Sequence, residues 1–197
     1  MNHDTIPECM LAFWFGLDRP GKKDDGAVRN VMGGPYEAAA AHQLDRWIEA
    51  PRDRLALILL LDQAPRHLYR ADARAYATDL KAQTVAERYF QAEDWDLLSP
   101  RETYFAVLPW LHSEQASHQA RVNPVIWRLA PSLPALSYMG EMADLYQETI
   151  LRFGRFPHRA RRFGVPNSTQ ELRFLDEVWG PRRLALRARA GKGADGY

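Results

Sequence analysis

The chain is predicted to be all-α, and three observations carry that prediction. Nothing alternates apolar and polar residues with period two over any length. Apolar residues recur instead at helical spacing, as at Ala82, Val85, Ala86 and Phe90. Helix starts are signalled by two capping boxes, Ser99-Pro100-Arg101-Glu102 and Ser168 to Glu171. About eight helices with short connections predict stacked antiparallel hairpins. No repeat of fixed period stands out.

The elements follow in order. A short helix is expected over Ile6 to Phe15, opened by Pro7 and closed by Gly16. A polar loop with turn signals spans Asp18 to Gly26, and a short helical piece spans Ala27 to Met32 before Gly33 and Gly34 stop it. Pro35 then opens a helix over Tyr36 to Ala50. Between Pro51 and Pro65 lies the central helix, Arg52 to Ala64, whose run Leu55 to Leu61 is entirely apolar. Thr78 or Asp79 caps the next helix, Leu80 to Ala92. The Ser99 box opens one kinked at Pro109, another runs from Gln115 to Ala130 and bends near Pro124, and a third covers Leu133 to Phe153. Arg155 to Asn167 reads as a long basic loop, and the Ser168 box opens a last helix to about Trp179. Residues 1–179 are thus expected as a single helical domain, and 180–197 as a basic, frayed or disordered tail.

Composition fits a globular chain of 197 residues, 46% hydrophobic and 26% charged. The one cysteine, Cys9, cannot close an intramolecular disulfide and is expected to be buried. The first residues, with Asp4 and Glu8, lack a signal-peptide pattern. The longest apolar run falls far short of the roughly 20 residues of a membrane span, so a cytoplasmic protein is expected. A net charge of +1 hides segregation. Arg152 to Arg162 holds five arginines and no acid, and the tail from Gly180 is also basic; the remainder has 16 basic against 24 acidic residues. That pattern excludes a uniformly basic nucleic-acid binder and marks two places of positive potential.

Three polar clusters could carry chemistry. Asp62, Gln63, Arg66 and Arg70 follow the apolar run, with Tyr69 beside them. Asp62 and Arg66, four apart, can pair, and the arginines can also cap the end of the helix. His112-Ser113-Glu114 precedes Gln115, His118 and Gln119. Glu114 and His118 could hold a metal but make only two ligands, so no metal is expected. His112 beside a carboxylate could be a general base. The third cluster runs from Arg152 to Gly164. There Phe153, Phe156 and Phe163 can anchor the chain while Arg155, His158 and Arg159 project toward a carboxylate or phosphate, or toward acids of the protein itself. No nucleophile motif of the G-x-S-x-G or Cys/His kind is present.

Phe13 to Gly16 (FWFG), LALILLLDQAPRHLYR with ARAYATD at Ala73 to Asp79, Leu111 to Glu114 (LHSE) and Phe153 to Arg159 (FGRFPHR) occur in that order. In this the chain resembles the bacterial family called domain of unknown function 924, from Phe13 to about Leu175. The resemblance implies a helical fold similar to tetratricopeptide-repeat proteins and no established activity. The chain departs from the family's pattern at Ala64, where Phe follows LDQ, at Ala160, where Asn follows PHR, and at Tyr146, in place of a histidine. The later LGR-like piece reads Phe163-Gly164-Val165.

The expected function is binding or scaffolding, with Asp62, Gln63, Arg66 and Arg70 converging with His112, Glu114, Arg155, His158 and Arg159 on a polar cleft for an acidic peptide or anionic small molecule. The alternative is a small-molecule enzyme in which His112 or His158 serves as acid/base and Arg66, Arg155 and Arg159 clamp a phosphate or carboxylate. No cofactor is expected, and the aromatics read as anchors rather than as a stacking platform for nucleic acid.

Overall fold

Residues 5–16, 24–70, 72–92, 94–133 and 138–189 are described in the structure, a computed structural model, and every regular element among them is helical. The chain divides into two compact units, Met1–Pro109 and Trp110–Tyr197.

In the first unit, α1 (Thr5–Phe15) packs on α3 (Pro51–Ile58), and α3 also packs on α5 (Asp79–Ala92). Cys9 on α1 is exposed, contrary to expectation, because Met10, Leu11 and Trp14 occupy the buried face of this helix. Helix α2 (Asp25–Ala40) opens on Asp24, whose carboxylate accepts from the N–H groups of Gly26 and Ala27. It continues through Gly33, Gly34 and Pro35, where a break between two helices was expected. The reason is burial: Val28, Met32, Tyr36 and Ala39 form one inward face across that interruption. Such packing outweighs the cost of about 1 kcal/mol that each helical glycine carries. The helix expected to reach Ala50 stops at Ala40, and a 3-10 turn, Asp45–Ile48, follows.

The central helix begins with Pro51 at its first turn, and Leu55 to Leu61 are all fully buried. Burying each such leucine contributes about 1.5–3 kcal/mol. Pro65 does not end it. The chain widens into a π turn, Leu59–Gln63, where Ala64 N–H donates to Leu59 five residues back, and resumes as α4 (Ala64–Leu68). Proline lacks an N–H, and its ring collides with the carbonyl four residues earlier in a regular helix. The wide turn accommodates the ring. The carbonyl at issue, that of Leu61, accepts instead from the Thr78 hydroxyl at 2.6 Å. Thr78 thus serves the neighbouring helix, immediately before α5 begins. In α6 (Pro100–Leu111) the Ser99 capping box is formed: Glu102 accepts from Ser99 N–H at 2.9 Å, and Ser99 Oγ accepts from Glu102 N–H at 3.3 Å.

The second unit is built on an antiparallel pair, α7 (Ala116–Leu129) and α8 (Met139–Phe153). Asn123 reaches Asp144 and Gln147, while Trp127, one turn further along α7, also reaches back to Asp144. Gln119 is fully buried and donates to the carbonyls of Leu111 and Ser113, both at 2.8 Å, closing the end of α6. Gly154, at φ 67°, ends α8 as anticipated. Then come α9 (Pro157–Ala160), α10 (Thr169–Phe174) on its Ser168 capping box, and a π turn, Leu175–Trp179. Within the basic stretch after Trp179, Gly180–Arg189 forms α11, with Leu186 buried. Its Arg182 and Arg189 pair with Glu148 and Glu141 of α8. Residues 190–197 lie outside the described residues.

Candidate functional site

The polar end of the central helix is a set of internal ties. Asp62 is fully buried in the wide turn and accepts from Gln63 Nε2 at 2.5 Å. Arg66 Nη2 lies 3.5 Å from Asp62 and donates to Asp79 at 2.7 Å, while Nη1 donates to the Ala75 carbonyl and the guanidinium covers the Tyr76 ring. Burial opposes the charge on Arg66, but Asp62 and Asp79 outweigh it and raise its pKa. Arg70 forks onto Asp25, the first residue of α2, through Nε at 2.9 Å and Nη2 at 2.5 Å. His67 Nδ1 joins the same carboxylate at 2.8 Å. Arg70 above all, with His67, lowers the Asp25 pKa to about 2 against the opposing effect of burial. An acid in the first turn also faces the positive end of the helix dipole. Arg66 and Arg70 thus fasten α4 to its neighbours.

In the second unit the LHSE turn and the FGRFPHR loop come together. Glu114 accepts the Phe156 N–H at 2.8 Å, and Arg159 Nη1 donates to the His112 carbonyl at 2.9 Å. Arg155 forks onto Glu171 at 2.7 and 2.9 Å and also donates to the Pro166 carbonyl. Its guanidinium is the main reason the Glu171 carboxyl is held at about 2. Arg155 therefore staples the loop, and its acid is Glu171 of the Ser168 capping box. Phe156 is buried and Phe153 packs against Phe174, as anchors should. Phe163, expected as a third anchor, is 50% exposed, whereas Arg159, expected to project, is 8% exposed. The stretch runs through α9 and a 3-10 turn, Arg161–Phe163, and this places Arg159 inward and Phe163 outward.

His158 is the least expected member. Its ring stacks on Trp179 at 4.3 Å, and its buried Nδ1 has no hydrogen-bond partner among the described residues. Burial, then the positive fields of Arg159, Arg183 and Arg162, lowers its pKa to about 2. Asn167 donates to the carbonyl of Pro157, the residue before His158, and its own buried Oδ1 likewise lacks a partner. Tyr146 packs against Phe156 and Trp179. Of Glu114 and His118, the first accepts the Phe156 N–H, and the second stacks on Trp110 and meets the Ser113 hydroxyl. Trp179, Asn167 and Arg183 had no sequence signal beyond the tryptophan content and the basic tail. Glu171 had one, its capping box, which pointed only to a helix start.

Fold and clusters together define an all-helical protein in which the arginines of both polar clusters are tied to its own carboxylates and carbonyls, with one neutral histidine in arginine-rich surroundings. The chain belongs to the family described as bacterial protein of unknown function (DUF924), which it matches over residues 7–178. It is similar to a solved structure titled as a protein of unknown function, ATU0120, from Agrobacterium tumefaciens. The two share 28% identity and a TM-score of 0.74, over 89% of this chain and 99% of that one. No match is found among curated proteins. Among the described residues no helix is long and apolar enough to cross a membrane.

Proposed function

We propose that this is a cytoplasmic binding protein whose second unit takes an anionic group, the carboxylate of an acidic peptide or of a small molecule, where His112, Glu114, His158 and Arg159 meet. The observation that carries the reading is His158. An imidazole kept neutral by burial and by neighbouring guanidiniums sits in a positive local potential, and its unpartnered Nδ1 can donate to an acceptor in the tautomer that carries the proton there. Asn167 Oδ1 beside the same loop can accept in turn, so a ligand bearing both an oxygen anion and a donor suits the site. Arg155, and Asp62, Gln63, Arg66 and Arg70 in the first unit, act in this reading as braces. The stacking of helix hairpins in the manner of tetratricopeptide repeats is part of it, supported by the antiparallel α7/α8 pair and by the family resemblance.

An acid/base enzyme using His158 is disfavoured, since proton transfer wants a pKa near the operating pH and that of His158 lies near 2. The test is thermal unfolding with citrate, inorganic phosphate and a hexaglutamate peptide, comparing wild type with His158→Phe, which keeps the stack on Trp179. At least one probe should raise the wild-type Tm, as a ligand at 100 times its Kd stabilises by about 2.7 kcal/mol. The variant should lose most of that rise. Equal stabilisation of both proteins would place the anion elsewhere.

A further inference from the structure

Trp127 is a large aromatic left 46% exposed, yet it is held firmly. Its indole N–H donates to Asp144 Oδ1 at 3.0 Å, and Asn123, itself buried, donates to the same oxygen at 2.9 Å. The ring lies directly on Gly140, where a Cβ would sit 2.7–2.9 Å from three ring atoms. Any side chain at position 140 would push the indole off α8. Three devices therefore fix one exposed tryptophan, an arrangement that core packing does not require. A pre-ordered indole loses little freedom when something lands on it, which is why such residues carry binding energy.

What lands there is decided by charge. Beyond Trp127, α8 presents Asp144, Gln147, Glu148, Leu151 and Arg152 around an open depression of about 450 Å³. These residues recur at helical spacing and so share one face. Leu151 is 69% exposed. The acids Glu141, Asp144 and Glu148 form a row three and four residues apart, where like charges repel. Arg189 neutralises Glu141 at 2.7 Å and Arg182 neutralises Glu148 at 2.6 Å, both from α11. Asp144, between them, has only the neutral donors Asn123 and Trp127 among the described residues. Arg152, at the far end of the depression, also lies over the rings of Phe153 and Phe174. The row is thus one cation short at the residue that touches the exposed indole.

We infer that the α8 surface from Asp144 to Leu151, with the Trp127 indole bound at its Asp144 end, is a docking site for a basic segment of a partner protein, one of whose lysine or arginine side chains sits against the Asp144 carboxylate and the Trp127 ring. Carboxylate and indole face are the two groups that hold an ammonium or guanidinium, and Leu151 supplies an apolar rim. The surface is local. The unit as a whole has 13 basic against 8 acidic residues, so general attraction does not bring a cationic peptide to it. The site is separate from the anion site at His158, and each stands without the other.

The experiment follows the Trp127 indole N–H by NMR in the ¹⁵N-labelled chain, assigned with Trp127→Phe. Octalysine is titrated against wild type, Asp144→Asn and Leu151→Ser, with octaglutamate as the charge control. Octalysine should shift the indole signal saturably together with the amides of residues 144 to 151. Asp144→Asn should weaken the affinity about tenfold or more with the rest of its spectrum unchanged. Leu151→Ser, on an exposed site, should fold normally and weaken it less. The inference is overturned if millimolar octalysine leaves that signal in place, if Asp144→Asn binds as wild type does, or if octaglutamate moves the same signals. It is equally overturned if dilution of the protein alone moves them, which would make a second copy of the chain the occupant.

Discussion

His158 shows what one side chain can impose on the pH behaviour of its fold. Its ordinary pKa of 6.5 falls to about 2 in the folded chain. The unfolded chain therefore binds a proton below pH 6.5 that the folded chain refuses, and stability falls as pH drops. The slope approaches about 1.4 kcal/mol per pH unit between pH 6 and 5, before most carboxylates titrate. Urea unfolding of wild type and His158→Phe across that range should show the slope in the first and its loss in the second. If the two curves run parallel, the ring is not kept neutral. Arg66 and Arg70 make a different point at the same scale. Four residues apart and alike in chemistry, they differ in exposure, 21% for the Arg66 side chain against 61% for Arg70. Only the first ties down a fully buried carboxylate, and one partner of a buried pair is far costlier to remove than one partner of an exposed pair.

Among the elements, the wide turn at Leu59–Gln63 depends on a bond from outside its own helix. Thr78→Val keeps the shape but leaves the Leu61 carbonyl buried without its donor, and should cost about 1–3 kcal/mol. Thr78→Ser, which restores a hydroxyl, should recover most of it, as measured by urea denaturation. If valine proves as stable as threonine, the turn satisfies that carbonyl by itself. Helix α2 teaches the complementary lesson. Gly33, Gly34 and Pro35 are strong local stop signals, and the inward row Val28, Met32, Tyr36 and Ala39 overrides them. Local propensity is visible in a sequence window, whereas the partner that buries such a row is not.

For the whole molecule, two ion-pair anchors set an acid limit. Asp25 and Glu171 fall from 3.8 and 4.5 to about 2 in the folded chain. Lowered carboxylate values mean stability that is complete above the unfolded pKa and lost as pH falls through the folded one. Urea midpoints should therefore drop more steeply between about pH 4.5 and 2, where this loss adds to the continuing slope due to His158, and an unchanged slope there would contradict the pairing. The helical class, the capping boxes at Ser99 and Ser168, and the buried run Leu55 to Leu61 were all legible because each is written in consecutive residues. The clusters were legible as lists. The direction of each group was not: Arg159 turns inward, Phe163 outward, and Arg155 finds Glu171, because side-chain direction follows from turns whose geometry tertiary packing selects. Trp127 left no trace in the sequence, since what distinguishes it is a glycine 13 residues away.

The wide turn has one more consequence, which concerns phase. Each residue of a regular helix advances the chain by about 100° around its axis. A π turn absorbs one residue without that advance, so everything after it is rotated relative to the apolar run before it. Asp62 stays inside with the leucines, while Arg66 and Arg70 face α2 and Asp79 only because of this offset. Removing a single residue between Leu59 and Gln63 would give a more regular helix with the wrong heading. The arginines would then swing away from Asp25 and Asp79, and a shorter, smoother segment would unfasten the helices that the irregular one holds.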